Sequence, residues 1–414
     1  MRSPALSAHV RAPGPTPLLL VFAAAAILLI TMGIRQTLGL FVLPIVGTAG
    51  IGIATVSLAL ALGQFVWGAA QPLLGAAADA YGADRIMIGG ALLLAAGAAL
   101  APLYTSALGL VGCLGLLMAT GAAAGSFAIL IGVTSRHLAP QQRSLAAGII
   151  NAGGSLGQLL LAPFAQWLIG RNGWRSAMLV LALAALLTIP LARLFRTRDT
   201  LAPPAAHAAA PAGLRQQLQL ALRDRSYWLL QAGFFTCGFH VAFLVTHLPG
   251  DLQMCGLAPR VAANAIGLIG LSNVGGSLAA GWLGQRYRMK NLLALMYFSR
   301  ALIVACYVLM PKTALNVYLA SAAFGVTWLA TVPPTAGLVG KLFGTRYLAT
   351  LFGLTLLTHQ VGGFLGAWLG GVAMAQLGSY AWVWYADFGL ALLAAVLNLP
   401  IRERAPTLAG AAAV

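Results

Sequence analysis

Between residues 17 and 400 the chain alternates long apolar runs with short polar connections. Twelve of these runs approach the roughly 20 residues that an α-helix needs to cross a bilayer. Backbone in lipid must satisfy its own N–H and C=O groups, so runs of this length are expected to be helices. They fall at about 17–45, 53–78, 86–104, 107–135, 144–168, 174–194, 226–249, 260–283, 290–310, 313–337, 348–372 and 380–400. Composition agrees: 7% of the residues are charged and 60% hydrophobic, where soluble domains carry about 25% charge. The 49 glycines suit helices that pack closely in lipid. The first run is too long for a signal-peptide core and no A-x-A site closes it, so it reads as a retained helix.

The formal net charge of +17 does not point to nucleic acid, because the basic residues sit in the connections between apolar runs. Counted by side, 18 Lys and Arg fall on the side of the N-terminus and 4 on the other. The positive-inside rule then places both termini in the cytoplasm of a multi-pass plasma (inner) membrane protein. The four cysteines show no CxxC pairing, and there is no His-x-x-x-His or acidic cluster, so no metal and no cofactor are expected. The longest connection, 195–225, contains APPAAHAAAPAG and reads as a linker between basic patches. It separates a 17–194 bundle of six spans from a 226–400 bundle of six, with tails at 1–16 and 401–414. The halves resemble each other: Gly75 and Asp79 close the second span as Gly281 and Gln285 close the eighth. Such duplication is the usual plan of secondary transporters, with the site near mid-membrane between the halves.

Within the first span stands Arg35, whose insertion costs roughly 2.5–3.5 kcal/mol at mid-bilayer. Of the seven acids, Asp79, Asp84, Asp199, Asp224, Asp251 and Glu403 lie in or beside polar connections, and only Asp387 lies inside a span. A second buried cation, Arg300, sits at a depth within about 3 Å of Asp387 at 1.5 Å per residue. Arg300 and Asp387 are therefore expected to form a structural ion pair. That leaves Arg35 without an acid in the protein, and a ligand anion becomes the expected partner, since guanidinium suits carboxylate bidentately. The alternative is an Arg satisfied by carbonyls or water at a broken turn.

Polar stripes at helical spacing add donors. They comprise Gln64, Trp67 and Gln71 in the second span, Asn151, Ser155 and Gln158 in the fifth, and Thr327, Thr331 and Thr335 beside Trp328 in the tenth. Each residue alone is as readily an interhelical hydrogen-bonding group; together they favour a polar cavity between the halves. His359 with neighbouring Gln360, and His240, are candidates for ligand contact or for a coupling proton, with neutral packed histidines as the plain alternative. His247 reads as an exposed helix end. Gln36, beside Arg35, and Asn273 in the eighth span complete the expected substrate contacts. The proline-bearing spans, with Pro72, Pro163, Pro333 and Pro334, offer bends.

Twelve spans, a basic central loop and G-x-x-x-D-x-x-G-x-x-R at Gly75, Asp79, Gly82 and Arg85 resemble the major facilitator superfamily. More narrowly, GIRQTLGLF, GFHVAFLVTHLP and LTHQVGGFLGAWLGG resemble the bacterial branch near the oxalate/formate exchangers and monocarboxylate carriers. The resemblance implies an all-α membrane fold of two pseudo-symmetric six-helix bundles, with the first and eleventh helices lining the cavity and the ninth and twelfth as peripheral supports. It implies that Asp79, Gly75, Gly82 and Arg85 serve gating rather than ligand binding. The loop motif departs from pattern, with Ala80 after the Asp and Asp84 where a base is common. The carriers' cationic residue of the eighth helix is also absent, since that helix offers Asn273 and Ser277 instead. Arg35 is the candidate to have taken over the duty.

The expected function is secondary transport of a small mono- or dicarboxylate by alternating access, either proton-coupled or anion-exchanging, by a monomer. A porter for a neutral solute is the main alternative. A drug efflux pump is disfavoured by the lack of a free intramembrane acid. No nucleophile–base or metal constellation marks an enzyme, and no soluble signalling domain marks a sensor.

Overall fold

The computed structural model describes residues 16–104, 106–196, 214–344 and 347–403. Most of the expected tails 1–16 and 401–414, most of the linker 195–225, and Arg346 with its basic charge lie outside the described residues. Ten helical stretches are long and apolar enough to cross a membrane. One of them, Leu145–Arg193, turns at Gly173, where φ 78° and ψ 163° are open to glycine and strained for other residues. This makes it two rods, and Leu348–Leu377 is a further helix of 30 residues. The twelve are α1 (Pro17–Thr48), α2 (Ile53–Tyr81), α3 (Ala83–Leu103), α4 (Ala107–His137), α5 (140–172), α6 (174–193), α7 (Arg225–Met254), α8 (Pro259–Arg286), α9 (Met289–Leu309), α10 (Ala314–Phe343), α11 (Leu348–Leu377) and α12 (Ala381–Asn398). No strand occurs among the described residues.

Local chemistry sets the ends. Asp224 caps α7 by accepting the Tyr227 N–H at 3.1 Å, and Thr313 caps α10 by accepting the Asn316 N–H at 3.2 Å. Glu403, in the expected C-terminal tail, accepts the Lys290 N–H at 2.8 Å and so caps α9. Within the expected linker, Leu214–Arg223 is a short helix whose Gln217 side chain donates to the Phe343 carbonyl at 3.0 Å.

Each half has its own core. Ile34, Phe41, Leu60 and Leu181 are buried in the first, and Tyr227, Phe234, Tyr297 and Phe324 in the second. The halves repeat one packing device. In α5, a Cβ on Gly153 or Gly157 would strike the α1 carbonyls of Ala25 and Leu29. In α11, a Cβ on Gly362 or Gly366 would strike the α7 carbonyls of Phe235 and Phe239. Both are Gly-x-x-x-Gly faces that let backbones touch.

The bundles meet at mid-depth and in the half remote from the termini. Gly39 of α1 backs onto the Val245 carbonyl of α7, Gly371 of α11 onto Ser57 of α2, and Gly267 of α8 onto Leu159 of α5. Towards the termini, Gly75, Gly148, Gly281 and Gly353 have no neighbouring atom within 4 Å of a Cβ position. The seam is thus closed at the remote end and open on the side of the termini.

Candidate functional site

Pro44 lacks the N–H that would bond the Leu40 carbonyl, and α1 tightens to a 3-10 turn over Leu38–Phe41. Arg35 occupies the last α-helical turn before it. Its Nη2 donates to Gln64 Oε1, and its guanidinium carbon lies 4.1 Å from the centre of the Trp67 ring. Gln64 and Trp67, three apart on α2, present one face to α1. A pocket opens beside them. Its walls include Leu60 and Met118 from the first bundle and Val245 and Thr246 from the second. Met118 closes a π-helical stretch of α4, Val111–Met118, a distortion common at functional sites.

No carboxylate lies within 4.0 Å of Arg35 among the described residues. Asp79 pairs with Arg136, Glu403 with Lys341 at 3.2 Å and Asp387 with His240 at 2.6 Å. Asp251 accepts the Tyr307 hydroxyl at 2.6 Å. A half-buried guanidinium with one of its five N–H donors held by Gln64 keeps a fork that a ligand carboxylate can fill.

The remaining expected contacts scatter. Gln36 is buried behind Arg35 with Oε1 unpartnered. Gln71 donates back to the Trp67 carbonyl at 3.2 Å on its own helix. Asn151 is half-buried on α5. Gln158 is buried at the α5–α8 seam, where it would meet a Cβ on Gly270, and Gln360 packs on Gly68 of α2 in the same manner. The His359 ring packs at a tilt against that of Phe234, centroids 4.9 Å apart, with Gln360 beside it. His247 is not an exposed helix end: it is 1% accessible, and its Nε2 lies 2.6 Å from the Ala367 carbonyl.

Three expectations need correction, and one feature explains them. Pro333 and Pro334 sit where α10 would need two more N–H donors; one interior proline can be absorbed as a kink, as at Pro72, Pro163 and Pro249, but an adjacent pair removes two successive donors and fits best in a first turn. The helix therefore ends at Thr327 and restarts at Val332. The break frees the Thr327 and Trp328 carbonyls, and Arg300 Nη2 donates to both, the latter at 3.1 Å. Arg300 therefore forms no direct ion pair with Asp387, which is taken by His240. The break also frees the Leu329 N–H, which Asn273 Oδ1 accepts at 3.0 Å; Asn273 Nδ2 donates to Ser155 of the first bundle, also at 3.0 Å. Asn273 is thus a fastener across the seam rather than a free ligand group. Trp328, fully buried beside His240, is core rather than cavity wall.

The loop-motif residues stand at the open end. Gly82 takes φ 98°, which frees the chain to turn into α3; Asp79 reaches Arg136 at the end of α4, Gly75 is uncrowded and Arg85 is exposed. Sequence reading passed over Met118 as a site wall, since no polar signal marks an apolar residue that faces a pocket, and over Thr246, whose single hydroxyl stands outside the polar stripes. It also passed over the His240–Asp387 pair, although both residues are charged or titratable and lie within spans.

Two six-helix bundles around a membrane-embedded seam, with Arg35 there lacking an acidic partner among the described residues, have the architecture of a membrane transporter. The match to the Major Facilitator Superfamily runs over residues 20–367, and the chain belongs to that family: it is a multi-pass membrane transporter and not an enzyme. It is 27% identical over 381 residues to monocarboxylate transporter 13 of Rattus norvegicus, covering 90% of this chain and 86% of that one. It is 23% identical over 371 residues to the oxalate:formate antiporter of Oxalobacter formigenes, covering 85% and 84%. In fold it is similar to a bacterial Spinster homologue solved in an inward-facing, occupied conformation, with TM-score 0.70 and 15% identity over 94% of this chain and 97% of that one. It is also similar to a D-xylose–proton symporter, with TM-score 0.69 and 12% identity over the same shares.

Proposed function

We propose that this transporter carries a small organic anion by alternating access, with the carboxylate bound by Arg35. The observation that carries the reading is a guanidinium at the seam with no acidic partner among the described residues, facing a pocket that both bundles line. Apart from Arg35, Gln64 and Thr246 the pocket wall is apolar, as at Leu60, Met118 and Val245. One cation in apolar walls favours a monocarboxylate with an apolar body over a dicarboxylate, whose second charge would be left unpaired. Relatives named as monocarboxylate transporters and as an oxalate:formate antiporter support the class. Residence as a monomer in the inner membrane with cytoplasmic termini belongs to the same proposal, and so does coupling either to protons or to a counter-anion.

The test is uptake of labelled lactate, benzoate, oxalate and xylose into proteoliposomes. Benzoate and lactate should enter, oxalate poorly and xylose not at all. Arg35→Gln and Arg35→Lys should each lower uptake at least about tenfold, the effect of losing one 1.4 kcal/mol contact, with the protein still folded. Uptake retained in both variants, or transport of xylose alone, would overturn the anion reading.

A further inference from the structure

Buried polar atoms without partners are rare in folded proteins, and six of them belong to one connected group in the second bundle. They are His240 Nε2, Asp387 Oδ1, Arg300 Nε and Nη1, Tyr297 OH and Trp328 Nε1. The parent side chains adjoin. His240 Nδ1 lies 2.6 Å from Asp387 Oδ2, the His240 ring 5.9 Å from that of Trp328, and the Arg300 guanidinium 5.6 Å from the Tyr297 ring. His240, Arg300 and Asp387 are each 0% accessible. Other buried side chains also keep an unpartnered atom, His247 Nδ1 among them, but here six such atoms adjoin. The group holds a base, His240 Nε2, with nothing bound to it.

We propose that His240 and Asp387 form a proton-binding site separate from the ligand site at Arg35, and that Arg300 relays its charge to the broken helix that ties the bundles together. In the unprotonated form the neutral imidazole donates Nδ1–H to the carboxylate, and the pair carries one negative charge facing Arg300. Asp387 is near enough to act on Arg300 electrostatically without touching it. A proton from water then adds to His240 Nε2 and makes an imidazolium; no other bond changes, and the pair becomes neutral. The negative charge that α12 presents to Arg300 is thereby cancelled, Cys237 and Tyr297 remaining beside it, and its attraction to the Thr327 and Trp328 carbonyls gains weight. Those carbonyls flank the break whose next residue, Leu329, holds Asn273, and Asn273 holds Ser155 across the seam. The proton is thus read where the bundles meet.

The titratable and charged groups facing the pair are few. From α7 comes Cys237, whose sulfur is 3.4 Å from Thr331 Oγ1; α9 offers Tyr297 and Arg300. The broken helix α10 offers none, and α11 offers His359, which neighbours Cys237 and packs at a tilt against Phe234. Asp251, Tyr307 and Lys312 form a separate group, with Tyr307 two turns along α9 from Arg300, about 10 Å at 1.5 Å per residue. The inference rests on the transport reading above but not on Arg35 as the ligand's partner.

The test follows the seam rather than the ligand. Full-length protein with Cys255→Ser and Cys306→Ser receives spin labels through Leu145→Cys on α5 and Leu278→Cys on α8, both exposed towards the open end. In nanodiscs without ligand, the ratio of long to short distances should change about tenfold between pH 8 and pH 5, within the usual range of site-to-site coupling. Asp387→Asn and His240→Gln should each remove that response, and Arg35→Gln should keep it while losing anion uptake. If the first two variants do not fold, Asp387→Glu replaces them: a displaced midpoint supports the site and an unchanged one overturns it. A wild-type distance indifferent to pH, or a full response in folded Asp387→Asn and His240→Gln, overturns the proposal. Loss of the anion reading alone would show as an intact pH response with Arg35→Gln still transporting.

Discussion

Arg300 and Arg35 are both intramembrane cations, and their surroundings separate them. Arg300 meets the carbonyl end of a broken helix, where partial negative charge collects; Arg35 meets an amide, an indole face and a pocket. Removing the first should therefore cost stability, and removing the second should cost function. Arg300→Met strands the Thr327 carbonyl at about 1–3 kcal/mol and leaves the Trp328 carbonyl with only the Cys237 thiol. Its thermal unfolding midpoint in detergent should fall clearly below that of Arg136→Met, which breaks an exposed pair worth about 0.2–1 kcal/mol. Equal midpoints would contradict the capping role. The sequence gives both arginines and their depth, but not which has an internal partner. That depended on two prolines opening α10 some thirty residues from Arg300, an effect that spacing along a helix does not convey.

At the scale of elements, glycine positions do two different jobs. Gly157 lets α5 lie against α1 inside one bundle, and Gly39 lets α1 lie against α7 across the seam. Bundles move as units in alternating access, so the first contact should persist through the cycle and the second should not. Gly157→Ala is expected to lower the unfolding midpoint in every condition. Gly39→Ala should leave folding near wild type and shift the population towards opening at the remote end, read as faster labelling of a cysteine placed at Thr246. If Gly39→Ala destabilises as much as Gly157→Ala, the seam does not separate there. Helix existence and order were legible throughout, because twelve apolar runs admit little else in lipid. Boundaries shifted where capping groups decided them, as with Glu403 reaching back to α9 from what reads as a polar tail.

At the scale of the molecule, the closed and open ends of the seam bear on topology. If the termini are cytoplasmic, as proposed above from the Lys and Arg asymmetry, the open end faces inward. Reporter fusions check this. A fluorescent protein at the C-terminus should light and a C-terminal alkaline phosphatase should stay inactive, with phosphatase activity appearing when the fusion follows Met310 between α9 and α10. The reverse pattern would invert the orientation. The two-bundle plan was readable from the repeated second-span ending and from the linker, because a duplicated unit repeats its pattern in sequence. Which end of the seam is closed was not, since both access states are built from the same helices.

The sequence by itself determined the solvent, the number of spans, the division six and six, and the presence of an intramembrane cation short of an acid. These follow from hydropathy, length and charge, which are properties of a segment or a sum. Tertiary structure alone decided that Asp387 belongs to His240, that Asn273 fastens the seam, and that the pocket beside Arg35 is mostly apolar. Those are facts about which helix faces meet and where backbone hydrogen bonding is interrupted. Helical periodicity says which residues share a face, but a partner across the bundle is fixed only when the rods are packed.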